Sequence, residues 1–214
     1  MNRHSEDELD AKIVAALERL TQAFQNALWE EAWQQGLSAT QAQVLVYLLA
    51  LGRERANIND LAARFGLGPA TVSTSVTTLE QKGLVRRTRG EEDRRVVYVE
   101  LTARGRRQAQ RLAHWTDAIR GEIAALDRAD KERLLGTLLE TIGRLQRAGL
   151  ISVARMCSTC LYFRRHVHDD PRAPHHCGLM DRPLFLSELR VECPDHQPIV
   201  AGPTSGESRT GQSR

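Results

Sequence analysis

Two short stretches of helical periodicity, Ile58 to Phe65 and Pro69 to Lys82, stand either side of Gly66-Leu67-Gly68, and nothing else in the chain restricts the fold so much. In the first, Ile58, Leu61, Ala62 and Phe65 share one helical face, and Asn57 or Asn59 can cap its start. In the second, Pro69 takes the first helical position, where a missing N–H costs nothing. Val72, Val76 and Leu79 then form an apolar stripe that stops at Gly83. Two short helices about a glycine turn make a helix-turn-helix, which must find its core among other elements.

Those elements are legible on both sides. Leu9, Ile13, Leu17, Leu20, Phe24 and Leu28 recur in steps of three and four, predicting one long helix that runs toward Trp33 and ends at Gly36. Leu37-Ser38-Ala39-Thr40 supplies caps for Gln41 to Leu51, which is apolar around much of its circumference and therefore a buried helix. Beyond Gly83, Leu84 to Arg89 and Val96 to Leu101 are β-rich runs about Gly90-Glu91-Glu92-Asp93, a hairpin with a charged tip. From Thr102 a long helix carries Leu112, Trp115, Ile119, Ile123 and Leu126, Asp127 to Asp130 interrupts it, and a further helix runs from Leu134 to Gly149. The expected fold class is mainly α with a small β-hairpin wing (α+β): a winged helix-turn-helix between long terminal helices, plus a small metal-bound C-terminal appendix.

The second helix of the pair has an unusual outer face. Ala70, Ser73, Thr74, Thr77, Thr78 and Gln81 point away from its apolar stripe, and they are short hydroxyl, methyl and amide groups. A merely solvated face would carry Lys and Glu. This one can enter a major groove, with hydroxyls on phosphates or bases and methyls against thymine. The net charge of +3 decides little, but Arg86, Arg87, Arg89, Arg94 and Arg95 fall within ten residues on the hairpin. Arg94 and Arg95 are placed to reach a minor groove, and Arg86, Arg87 and Arg89 to lie near phosphates.

Taken in order, Ser38-Ala39-Thr40-Gln41, Ile58-Asn59-Asp60-Leu61-Ala62, Thr71-Val72-Ser73, Leu79-Glu80-Gln81-Lys82-Gly83-Leu84-Val85 and Asp93-Arg94-Arg95 resemble the MarR family of winged helix-turn-helix regulators over residues 9 to 149. The resemblance implies a homodimer whose terminal helices interdigitate, reading a pseudo-palindromic operator in double-stranded DNA, usually as a repressor. It also implies an Asp-x-Arg wing in which Asp93 orients Arg95 into the minor groove. The candidate DNA contacts are Ala70, Thr71, Ser73, Thr74, Thr77, Thr78, Arg86, Arg87, Asp93, Arg94 and Arg95. Trp29, Trp33 and Trp115 are expected to anchor core and interface; the alternative is a cleft for a small aromatic effector, which many family members bind.

The first 156 residues contain no cysteine, and then Cys157, Cys160, Cys177 and Cys193 come with spacings of 2, 16 and 15 residues. Six of the seven prolines lie between Pro171 and Pro203 and five of the seven histidines between His166 and His196, in a segment with little apolar surface to hold it together. Four thiolates including a Cys-x2-Cys knuckle point to a metal. Zinc is the default for such a set, and an iron–sulfur cluster is the alternative; His196, in Cys193-x2-His196, can substitute as a ligand. A thioredoxin-like dithiol lacks its βαβ setting. The metal then either braces the dimer or senses a signal through the adjoining helix.

The resulting division is 1–36 an N-terminal dimerisation helix, 37–101 the winged helix-turn-helix, 102–150 the C-terminal dimerisation helices, 151–198 the four-cysteine appendix and 199–214 a disordered tail. No apolar run approaches the ~20 residues of a membrane span, and the polar Met1 to Asp10 is no secretory signal, so a cytoplasmic location is expected. A metal- or redox-dependent enzyme is the competing reading, with His175 or His176 as acid or base. It lacks a phosphate loop, a nucleophile elbow and an HExxH motif, and four thiolates close a zinc site to water. A winged helix that binds protein rather than DNA is the other competitor.

Overall fold

The computed structural model describes residues 3–52, 55–152 and 154–199, so the tail expected to be disordered lies, from residue 200 onward, outside the described residues. The chain divides into two compact units, residues 1–127 and 128–214, and it is mostly helical with two small antiparallel sheets.

The first unit opens with α1 (Arg3–Gln34) and α2 (Ala39–Ala50). Ser38 caps α2 reciprocally: its Oγ accepts from the Gln41 N–H at 3.2 Å, and its own N–H donates to Gln41 Oε1 at 3.3 Å. Lys82 adds a tie across this corner, donating from Nζ to the Gly36 carbonyl at 2.7 Å and to Gln41 Oε1 at 3.3 Å. Ser38→Ala is expected to lower stability by about 1 kcal/mol, read as a lower denaturation midpoint with an unchanged slope.

A two-residue strand, β1 (Ala56–Asn57), then leads into α3 (Ile58–Phe65) and α4 (Pro69–Gln81). Asn57 is the cap that the sequence left open between two asparagines. Its Oδ1 accepts from the Asn59 and Asp60 N–H groups at 2.8 and 3.0 Å, and Asp60 Oδ2 accepts from the Asn57 N–H at 2.8 Å. The turn between the helices needs Gly66 at φ 64°, a left-handed conformation that lets the Leu67 N–H reach back to the Ala62 carbonyl at 3.0 Å.

The hairpin forms from β2 (Val85–Arg89) and β3 (Val97–Leu101), and β1 joins it to give the order β1-β3-β2. The register pairs Val85 with Leu101, Arg86 with Glu100, Arg87 with Val99 and Thr88 with Tyr98. Alternation places Val85 and Val99 in the core beside Val72, Val76 and Leu79 of α4, with Leu45 and Leu61 from α2 and α3.

Where one helix was expected from Thr102 to Leu126, there are two: α5 (Ala103–Leu112) and α6 (Asp117–Ala124), joined by a 3-10 turn over Ala113–Thr116. The tightened turn sets the Trp115 ring edge-on to Phe24, with centroids 5.9 Å apart. Trp115 thus packs against the core as expected. Trp29 and Trp33 do not: they stack on each other at 5.7 Å and are 58% and 70% exposed in the single chain.

The second unit contains α7 (Arg128–Arg147) and the cysteine segment together. Its sheet has the order β4-β5-β6, from β4 (Phe163–Arg164), β5 (His175–Cys177) and β6 (Arg182–Leu184). Leu139 of α7 packs with Ala154, Met156, Leu184 and Leu189 in a small apolar core. Ser158 Oγ donates to the Leu139 carbonyl at 3.2 Å, beside Gly143. The helix grouped by sequence with dimerisation is therefore also the platform on which the cysteine segment is built. Among the described residues, no helix is long and apolar enough to cross a membrane.

Candidate functional site

On α4, burial of Val72, Val76 and Leu79 turns Ala70, Thr71, Thr74, Thr77 and Gln81 to the outside, with Ser73 and Thr78 half-buried at its edges. Three threonine hydroxyls of this helix donate one turn back: Thr74 to the Ala70 carbonyl at 3.0 Å, Thr77 to Ser73 at 2.9 Å and Thr78 to Thr74 at 3.1 Å. The proton is thereby directed into the helix, leaving oxygen lone pairs and methyl groups outward, except that Thr77 Oγ1 already accepts from Arg87. As it stands the face is an acceptor and apolar surface, suited to base amines and thymine methyls; donation to a phosphate requires a hydroxyl to rotate.

The arginines divide into two groups. Arg86 donates through Nε and Nη2 to Glu100 Oε2 at 3.2 and 2.9 Å, its directly opposed cross-strand neighbour. This pairing is the main reason the Glu100 carboxyl sits below the usual range, opposed by partial burial. Arg87 is paired with Glu80 and also donates to Thr77 Oγ1 at 3.0 Å, while its N–H reaches Glu80 Oε1 at 3.2 Å. Both guanidiniums, expected near phosphates, are therefore occupied within the domain, where they lock β2 to β3 and to α4. Sequence reasoning overlooked Glu80, Glu100 and Arg55, which reaches Glu100 at 3.5 Å and Glu91 at 3.4 Å; the strand register was the signal that could have found Glu100.

Arg95 behaves differently. Its N–H donates to Asp93 Oδ1 at 2.9 Å, and Nε and Nη2 reach Oδ1 and Oδ2 at 3.1 Å each. Its side chain is 92% exposed. The side-chain bond from Arg95, then its backbone N–H, hold Asp93 below the ordinary carboxylate range. Asp93 thus presents a fully charged guanidinium in fixed orientation at the hairpin tip, with exposed Arg94 beside it. The same device recurs at Asp170 and Arg172, with bonds of 2.9, 3.2 and 3.1 Å, so the pairing alone is not diagnostic. Its position beyond α4, on the wing, gives it meaning.

Residues 35–96 match the MarR family model. The winged-helix part of this chain is similar to that family over these residues. The HTH-type transcriptional repressor MdtR of Bacillus subtilis is 34% identical over 101 residues, covering 47% of this chain and 64% of the repressor. The match thus spans less than two thirds of that relative. Among solved structures, CouR from Rhodococcus jostii RHA1, bound to p-coumaroyl-CoA, is 27% identical with a TM-score of 0.53, covering 61% of this chain and 91% of CouR. S. aureus MepR in its DNA-binding conformation gives a TM-score of 0.57 over 62% of this chain and 98% of MepR, and at 20% identity it speaks for the fold alone. The MarR family is one of transcription regulators, not of enzymes.

In the second unit, Cys157, Cys160, Cys177 and Cys193 line one pocket, and all four are free thiols. Cys157 opens the 3-10 turn Cys157–Thr159, Cys160 follows it, Cys177 ends β5 opposite Phe163, and Cys193 lies beyond β6. Burial pushes the Cys157 thiol up, and the three other thiols push the same way against the lowering effect of the Arg190 N–H. His196 does not line this pocket, and its Nε2 lies 3.0 Å from Thr159 Oγ1. The other histidines pair among themselves: His168 Nε2 is 3.1 Å from His176 Nδ1, and the His166 and His175 rings meet at 4.7 Å.

Proposed function

We propose that this chain is a sequence-specific DNA-binding regulator of transcription, acting as a repressor on a pseudo-palindromic operator. The observation that carries this reading is the pairing of an uncharged, hydroxyl- and methyl-bearing outer face on α4 with the Asp93–Arg95 wing tip. A recognition helix in the major groove and an arginine in the adjacent minor groove read sequence and groove width together. Repression follows the B. subtilis relative.

The working form is a homodimer. Leu9, Ile13, Leu17, Leu20 and Phe24 keep an exposed apolar stripe along α1, and Trp29 and Trp33 extend it. So long a stripe on one helix calls for a matching surface, and a second copy brings two recognition helices onto successive groove segments. A small aromatic effector is the other ligand this tryptophan pair suits, given the acyl-CoA in CouR.

Selection of bound sequences from random double-stranded DNA, followed by titration at several salt concentrations, tests the reading. A pseudo-palindrome should emerge, with affinity falling steeply as salt rises. Thr74→Glu, placing a carboxylate on the exposed α4 face, should weaken binding by about 3 kcal/mol, roughly a hundredfold, without loss of fold. If no sequence is selected and no DNA is bound at any salt concentration, the winged helix is instead a protein-binding module.

A further inference from the structure

The second unit brings together four thiols from three separate places in the fold, in a chain with no cysteine elsewhere. Packing alone does not require this, since a small apolar core already lies alongside. The rest of the pocket wall is largely apolar, from Tyr162, Phe163, Leu179, Met180 and Leu184.

Two features separate the candidate occupants. Among the described residues, no three His, Cys, Asp or Glu side chains are drawn together closely enough to hold a metal ion. A single tetrahedral zinc would require all four sulfurs at about 2.3 Å from one point. The four sulfurs share one largely apolar pocket, and a cluster, in which each iron takes only one or two thiolates, does not require them to meet at a single point. Second, Arg190 turns two donors onto sulfur: its backbone N–H to Cys157 Sγ at 3.3 Å and its guanidinium to Cys193 Sγ at 3.6 Å. Such donors favour thiolates and an anionic centre, and hydrogen bonds to sulfur are a means of setting a cluster's potential.

We propose that Cys157, Cys160, Cys177 and Cys193 ligate an iron–sulfur cluster, with Arg190 as the positioning residue that donates to its thiolates. Each thiol gives up its proton to solvent as it binds iron, and inorganic sulfide supplies the bridging atoms. It takes up the iron–sulfur alternative in preference to zinc, the sequence-based default, and it goes beyond the DNA-binding reading, with which it neither stands nor falls.

The test uses the full chain purified without oxygen and reconstituted with sulfide and a mixture of ferrous and ferric iron, so that the cluster's mean iron oxidation state is supplied without a further oxidant. Expected are broad visible absorption and iron and acid-labile sulfide in equal amounts, with both lost in Cys177→Ser and Cys193→Ser. Because those variants can fail to fold, Arg190→Gln provides an independent arm. It keeps all four ligands and should retain iron and sulfide while moving the reduction potential to more negative values. A colourless protein carrying one zinc per chain, or one that takes up neither iron nor sulfide, overturns the proposal. An unchanged potential in Arg190→Gln overturns the part assigned to Arg190.

Discussion

Gly105→Ala is expected to unfold the winged-helix unit under conditions where the parent chain is stable. A Cβ at Gly105 would lie 1.8 Å from the Leu84 carbonyl oxygen and 2.7 Å from its carbon, both backbone atoms that cannot rotate aside. The approach is this close because Thr102 clamps the start of α5 to the end of α4. Its Oγ1 donates to the Gly83 carbonyl at 2.7 Å, its N–H donates to the Leu84 carbonyl at 3.0 Å, and its Oγ1 accepts from the Gly105 N–H at 3.0 Å. To admit a methyl group, α5 must retreat and loosen the burial of Ala109 and Leu112, or Leu84 must leave the core. Overpacking normally costs 1–3 kcal/mol, and against rigid backbone we expect about 3–5 kcal/mol, a large share of the 5–15 kcal/mol that holds a domain together. Alanine is the better helix former by about 1 kcal/mol, so propensity alone predicts the opposite sign. Denaturant unfolding followed by tryptophan fluorescence decides between them. Gly121→Ala on α6, where an added Cβ meets nothing within 4 Å, is the control and should be neutral or slightly stabilising. A stabilised Gly105→Ala would mean that the α5 contact is not rigid.

What the sequence disclosed follows from how local the cause was. The helix-turn-helix was legible because Pro69, Gly66 and the stripe of Val72, Val76 and Leu79 act within one or two turns. The hydroxyl face of α4 followed from the same periodicity, but the inward direction of its hydroxyl protons depends on side-chain rotation that no pattern records. Arg86 and Arg87 read as residues near phosphates, and their partners Glu100 and Glu80 escaped notice because they are fixed by register and by helix-to-strand packing. The break after Leu112 was hidden because the aromatic contact of Trp115 lies across the fold, on Phe24. Spacing alone gathered the four cysteines into one group, and it could not measure the space between their sulfurs. Residue types and spacing thus revealed the candidates, whereas long-range pairing decided how each is deployed.

That division makes the wing the sharpest test of the DNA-binding reading, because its arginines now differ in expected effect. Arg95→Ala removes an exposed guanidinium held in place by a charged carboxylate, and it should cost operator binding about 2–3 kcal/mol, from roughly thirtyfold to over a hundredfold. Asp93→Asn keeps an oxygen for the Arg95 N–H but loses the charge-assisted fork, so Arg95 samples more orientations before binding. A smaller loss of about tenfold is expected. Arg94→Ala, which removes the exposed neighbour that no carboxylate among the described residues is shown to orient, should cost less than Arg95→Ala and reduce the salt slope by about one. Arg86→Ala should change affinity little, because its charge is already engaged by Glu100, and should appear instead as a loss of stability. The Asp93–Arg95 pairing also has a pH signature. Arg95 holds the Asp93 carboxyl below the ordinary carboxylate range, so the ionised pair persists through the neutral range and is lost only as pH falls into the acid range below it. Operator affinity should therefore show no titration of the wing near neutrality. Equal losses for Arg86→Ala and Arg95→Ala, measured against the same selected operator, would show that the intramolecular pairs do not set which arginine reads the groove.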